Sequence, residues 1–187
     1  MNTHTQSRFR WMLLTGLSAT IFCSVILAFP IGAPSRLSGG PGEQDCTNCH
    51  IGQLGDTPPQ LTLDNLPDSV RAGSRQVFTV TVTHPDMVVA GIQTVIRPGD
   101  DELHYVGQLQ SDKLTTLMKD GISYLNHTKP FRAVSGAVTL TIVWEVPDTS
   151  GSAILNTAMV AANEDGTPFG DSVVKTERTI QILADDK

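Results

Sequence analysis

Beyond residue 59 the apolar residues of this chain fall on alternate positions, and that period excludes most architectures. Ala137 to Val146 is the clearest case: Val138, Leu140, Ile142, Trp144 and Val146 take every second place, with mostly smaller or polar residues between them. A period of two places one set of side chains on one face of an extended strand. Gln76 to Thr83 repeats the pattern with Phe78, Val80 and Val82 and ends at His84-Pro85. Leu61, Leu63 and Leu66 mark an earlier short strand closed by Pro67-Asp68. Val88 to Arg97 is stopped by Pro98-Gly99-Asp100-Asp101, and Asn163-Glu164-Asp165-Gly166 separates Ala153–Ala162 from Val173–Leu183. After residue 55 no segment sustains a helical period, apart from an ambiguous stretch over 111–119. Short strands with Gly, Pro, Asn and Asp turns between them predict an all-β fold, an Ig-like antiparallel β-sandwich. Trp144 shares a face with Leu140 and Ile142 and is expected in its core.

Ahead of this sheet-forming region stands Gly39-Gly40-Pro41-Gly42-Glu43-Gln44-Asp45-Cys46-Thr47-Asn48-Cys49-His50. Its last five residues form C-x-x-C-H, the attachment signature of a c-type haem. Two cysteines three apart in one tight turn present their thiols to the same side, where both can form thioethers with the vinyl groups of one porphyrin. The histidine that follows then lies under the ring as proximal iron ligand. The motif therefore predicts one covalent haem c held by Cys46 and Cys49, with His50 on the iron. A thioredoxin-like pair opens a helix in a βαβ setting, whereas Ile51 to Pro59 is rich in Gly and Pro. Structural zinc needs a second ligand pair, and no second cysteine pair follows.

The N-terminus has the form of an export signal. Arg8 and Arg10 precede an uncharged, largely apolar run from Trp11 to Phe29, either a signal peptide cleaved after Ala28 or a retained membrane anchor. Cys23 belongs to that run, since Phe22 is too bulky for a lipoprotein site. Covalent haem attachment in bacteria takes place outside the cytoplasmic membrane, so export and motif agree. The organisation expected is 1–28 signal or anchor, 29–58 haem-attachment segment and 59–187 sandwich, on the periplasmic or extracellular side of the membrane. Only Cys46 and Cys49 remain in the exported part, so its stability must come from a core rather than a disulfide framework. The net charge is −6, and loss of the two arginines makes the exported part more negative. Nucleic acid and anionic lipid are unsuitable partners for such a surface. A redox protein with a basic docking patch is complementary, and membrane contact is expected only through the N-terminal segment.

The iron's sixth position has several candidates: His84, His104, His127, Met87, Met118 and Met159. Met159 reads as core. His127 lies in Tyr124-Leu125-Asn126-His127-Thr128-Lys129-Pro130-Phe131-Arg132, read as a polar-aromatic loop, where Lys129 and Arg132 could face haem propionates. Asn126-His127-Thr128 also matches a glycosylation sequon, taken here as coincidence.

The run from Gly32-Ala33-Pro34 through Ser38-Gly39-Gly40-Pro41-Gly42-Glu43 into the C-x-x-C-H resembles exported bacterial proteins of the choice-of-anchor V group, related to Reeler-like Ig-type domains. Tyr124 with His127-Thr128, and Trp144 with Pro147, Gly151, Ala161-Ala162-Asn163 and Gly170-Asp171, resemble that group's later elements. Gly40 departs from it, standing where the lead usually has Ala, as does Glu145-Val146 in place of a more apolar pair. The resemblance implies an Ig-like sandwich and favours His127 as the distal ligand.

Two imidazoles on iron leave no open site and suit single-electron transfer. The expected function is therefore that of an exported monohaem electron carrier. The alternatives are a haem sensor with a displaceable sixth ligand, and a binding or surface-assembly module in which haem is secondary. No Ser-His-Asp, paired-carboxylate or phosphate-loop constellation stands out, and an enzyme is not expected.

Overall fold

The computed structural model describes residues 32–99 and 104–184; the expected signal or anchor over 1–28 lies outside them. Among the described residues no helix is long and apolar enough to cross a membrane.

The two clearest alternating segments become neighbours. Strands β3 (Arg75–Thr83) and β9 (Ala137–Glu145) pair antiparallel, with Phe78 opposite Ile142, Val80 opposite Leu140 and Val82 opposite Val138. Such cross-strand apolar pairs stabilise a sheet and fix its register, because a one-residue slip would turn every one of them to water. With β1 (Gln60–Asp64) and β5 (Gln108–Gln110) they form a four-stranded sheet in the order β1-β3-β9-β5.

The second sheet has seven strands. It comprises β2 (Ser69–Arg71), β4 (Val89–Pro98), β6 (Thr115–Lys119), β7 (Ile122–Asn126), β8 (Phe131–Arg132), β10 (Gly151–Ala162) and β11 (Ser172–Leu183). The order is β2-β11-β10-β4-β7-β6, with β8 paired to β4. All pairings in the two sheets are antiparallel except β2 on β11. The sheets enclose one core in which Trp144, Phe78, Leu140 and Ile142 meet Ile92, Leu155, Met159 and Ile180. Trp144 is fully buried, and its indole N–H donates to the Val106 carbonyl at 2.7 Å, which meets the need of a buried donor. The predicted β-sandwich is the observed fold.

Three local expectations change. The ambiguous stretch 111–119 ends in the exposed edge strand β6, where Thr115 and Thr116 are β-branched residues suited to strands. The expected loop from Tyr124 begins as strand β7, whose Tyr124, Leu125 and Asn126 are all buried. Leu66 is not in β1: Asn65 has φ +63° and ends the strand, leaving Leu66 buried in the following turn.

Strand β10 positions the rest. Ala153, Leu155, Met159 and Ala161 face the sandwich core, as period two requires. The opposite face carries Asn156, Ala158 and Val160, and these are buried too. They are covered by the chain from Gly32 to His50, which lies across the outside of the seven-stranded sheet. Cys46 packs there with Ala158 and Val160.

Candidate functional site

The lead into the motif is tied to the outer sheet face by side chains of β4 and β7. Gln93 is fully buried; its Oε1 accepts the Leu37 N–H at 2.6 Å, and its amide donates to the Pro34 carbonyl at 2.7 Å. The Asn126 amide donates to the Ala33 carbonyl, and its oxygen accepts from Gln93 at 3.1 Å. Asn126 is therefore buried and engaged, in keeping with a coincidental sequon. Farther along, Glu43 meets Arg97 at 2.5 Å and accepts from Ser38 at 2.7 Å and from the Tyr124 hydroxyl. Arg97 lies 5.6 Å from the Tyr124 ring centroid and donates to Asn156 at 3.1 Å. Burial works against ionisation of Glu43. The hydrogen bonds from Tyr124, Ser38 and Arg97, and the Arg97 charge, outweigh it and hold the carboxyl below its usual value.

The motif forms a single 3-10 turn, Cys46–Asn48. Asp45 caps it by accepting the Thr47 N–H at 2.8 Å, and Lys175 of β11 holds Asp45 at 2.7 Å. The His50 N–H donates to the Cys46 carbonyl at 2.9 Å, closing the turn so that Cys46, Cys49 and His50 all line one cleft. Burial, helped by the Asp45 charge, pushes the Cys46 thiol up to about 12. Cys49 is half-buried.

His127 follows β7 directly and lines the same cleft. Its Nδ1 lies 3.0 Å from the Ile92 carbonyl and 3.1 Å from the Ile92 nitrogen. In the Nδ1–H form the ring donates to that carbonyl and keeps the Nε2 lone pair free. Burial, with a smaller contribution from His50, lowers the His127 pKa, favouring the neutral ring a metal requires. His50 is held in a matching way, its Nδ1 lying 2.6 Å from Asp171 Oδ2. Asp171 precedes β11 and Ile92 lies on β4, with β10 between them. The two anchors are thus two strand spacings apart across the sheet, on the order of 10 Å laterally.

The walls between them are apolar: Leu37, Val89, Gly91, Val160 and Ala162 among others. The cleft holds about 230 Å³ and opens to solvent. Gly91 is required for its shape, since a Cβ there would stand 2.9 Å from His127 Cε1 and 3.1 Å from Nε2.

Of the six sixth-position candidates, only His127 lies in the cleft. His84 is buried elsewhere with its Nε2 on the Thr57 carbonyl at 2.8 Å. Met87 and Met159 belong to the core, and His104 and Met118 are exposed. Lys129 is exposed and is not part of the cleft lining. Arg132 pairs at 2.5 Å with Glu164, which does line it. Sequence reasoning missed Asp171 and Gly91 as site residues. A glycine inside an apolar strand is a signal of close approach by another group; Asp171 gave no signal of its own beyond its place after Gly170.

The sequence matches no protein-family model, and it matches no curated protein. Solved structures do resemble the fold. The human F-spondin reeler domain aligns with a TM-score of 0.49 at 14% identity, over 72% of this chain and 95% of that one. The Reelin-N domain of F-spondin aligns at 0.43 and 16%, over 75% and 96%. A cohesin from a Clostridium thermocellum cohesin–dockerin complex aligns at 0.44 and 18%, over 68% and 100%.

Proposed function

We propose that the cleft holds one covalently attached haem c and that the protein is an exported single-electron carrier. The observation that carries this reading is the convergence of Cys46, Cys49, His50 and His127 on one apolar cleft, with both histidines anchored through Nδ1. The residues present fit such a group. The thiols are three apart on one turn, each ring can offer Nε2, and Gly91 leaves room for the second imidazole. Cys46 and Cys49 would form the thioethers, His50 the proximal and His127 the distal bond to iron. Bound there, the haem supplies a one-electron couple. The chain's part is to keep the His127 imidazole neutral, to hold both rings in place, to exclude water with the apolar walls, and to leave an edge of the haem accessible through the open side.

Two imidazoles each fixed by a hydrogen bond at Nδ1 suit electron transfer, which needs little rearrangement. Ile51 and Phe169 are exposed and bridged to each other next to His50, offering an apolar contact to a partner, and the acidic balance of the chain favours a partner with a basic patch.

The test is an optical spectrum, oxidised and reduced, of full-length protein made with a haem-maturation system, compared with His127→Ala. The expected result is a low-spin wild type insensitive to carbon monoxide, with thiols closed to alkylation, and a variant that turns high-spin and binds the gas. A wild type that binds carbon monoxide readily favours a sensor. Colourless protein with both thiols free overturns the reading.

A further inference from the structure

Asp171 lines the cleft as a buried carboxylate held against His50. It is 2% exposed, and its Oδ2 lies 2.6 Å from His50 Nδ1. Its Oδ1 accepts the Asn163 N–H at 3.3 Å, so the turn between β10 and β11 also fixes the carboxylate. A second tie brings the same segments together: the Ile51 N–H donates to the Pro168 carbonyl at 2.8 Å, and the Gly170 N–H to the Ile51 carbonyl at 2.9 Å. The residue after His50 is thus locked to the residue before Asp171. The two histidines differ in what holds them, a neutral carbonyl for His127 and a carboxylate for His50. A carboxylate accepting from Nδ1–H orients the ring and makes its other nitrogen a stronger donor to a metal. Negative charge in a poorly hydrated site also favours the more positive oxidation state of a nearby ion.

We propose that Asp171 is a positioning residue that holds His50 as its Nδ1–H tautomer and lowers the reduction potential of the iron. This rests on the reading of the cleft as a haem site. In the redox step one electron passes between partner and iron, ferric to ferrous or back, and the Nδ1 proton stays on His50.

The experiment compares the potentials of full-length wild type, Asp171→Asn and Asp171→Glu, each loaded with haem. Asn keeps an acceptor for the ring N–H and removes the charge. Its loss is expected to favour the reduced state about tenfold, an upward shift of about 59 mV for one electron, and Glu is expected to return the potential toward wild type. An unchanged potential in an Asp171→Asn protein that retains its haem overturns the proposal. A second measurement needs no haem: nitrogen NMR of the His50 ring in the haem-free full chain at a pH where the ring is neutral. The expected wild-type tautomer is Nδ1–H, shifting toward Nε2–H in Asp171→Leu. A wild type already in the Nε2–H form overturns the proposal even where the variants fail to fold. Colourless wild-type protein overturns the haem reading and with it the redox half, while the tautomer half still stands or falls on the NMR.

Discussion

Gly91 shows how much a single missing side chain decides. Most strand interiors accept alanine in place of glycine, but here the methyl group would press on the His127 ring at 2.9 Å. Gly91→Ala is therefore expected to displace the His127 imidazole, with a stability cost of about 1–3 kcal/mol from overpacking, and, if the proposed haem is bound, to give a high-spin fraction and carbon monoxide binding in optical spectra. Gly40 has a related explanation, since a Cβ there would stand 2.7 Å from Asn156 Oδ1 and would crowd Arg97. The two thiols differ for another reason. Alkylation requires the thiolate, and Cys46 is buried with its thiol pushed up to about 12. In haem-free folded protein, iodoacetamide is expected to modify Cys49 at least ~10-fold faster than Cys46 by mass spectrometry. Equal rates would mean that the lead does not stay on the sheet.

At the scale of elements, the lead is fixed by a buried ion pair. Removing one partner of such a pair strands the other charge and typically costs about 3–5 kcal/mol. Arg97→Ala is expected to fall in that range in urea denaturation, and a double Glu43→Gln, Arg97→Met replacement to recover part of the loss. Because Glu43 is held below its usual value in the folded chain, its stabilisation is present above the unfolded carboxyl pKa of about 4.3 and is lost as pH falls through the lower folded value. Protection factors of the amides in residues 33–50, corrected for the intrinsic slowing of exchange in acid, should accordingly fall before those of the core strands. Much of this scale was legible in the sequence. Period two identified β3 and β9, whose apolar positions alternate with more exposed ones, while β4, β10 and β11 stood out as longer apolar or β-branched runs bounded by turn residues. β7 escaped notice because it is only five residues long and runs directly into the polar residues after Asn126. Of the candidate cleft, Cys46, Cys49 and His50 were legible, because their close spacing puts them on one turn. Asp171 and the Glu43–Arg97–Tyr124 cluster were not, since they meet only through pairings between strands far apart in the chain.

For the molecule as a whole, the acidic surface sets how it meets other charged species. A haem-loaded protein is expected to exchange electrons faster with a cationic small-molecule reagent than with an anionic one, and the gap should narrow as salt rises from about 0.01 M to 0.15 M, where screening shortens from roughly 30 Å to 8 Å. Stopped-flow mixing with the two reagents checks this, and equal rates at low salt would show that charge near the exposed ring edge is balanced. The lead's position over β10 also bears on the expected boundary at residue 59. A strand with Ala158 and Val160 beneath that cover has no water-facing side to fall back on. A chain shortened to begin at residue 59 would not be a tidy sandwich lacking only its lead; it would carry a greasy seam down its flank and clump with its own kind.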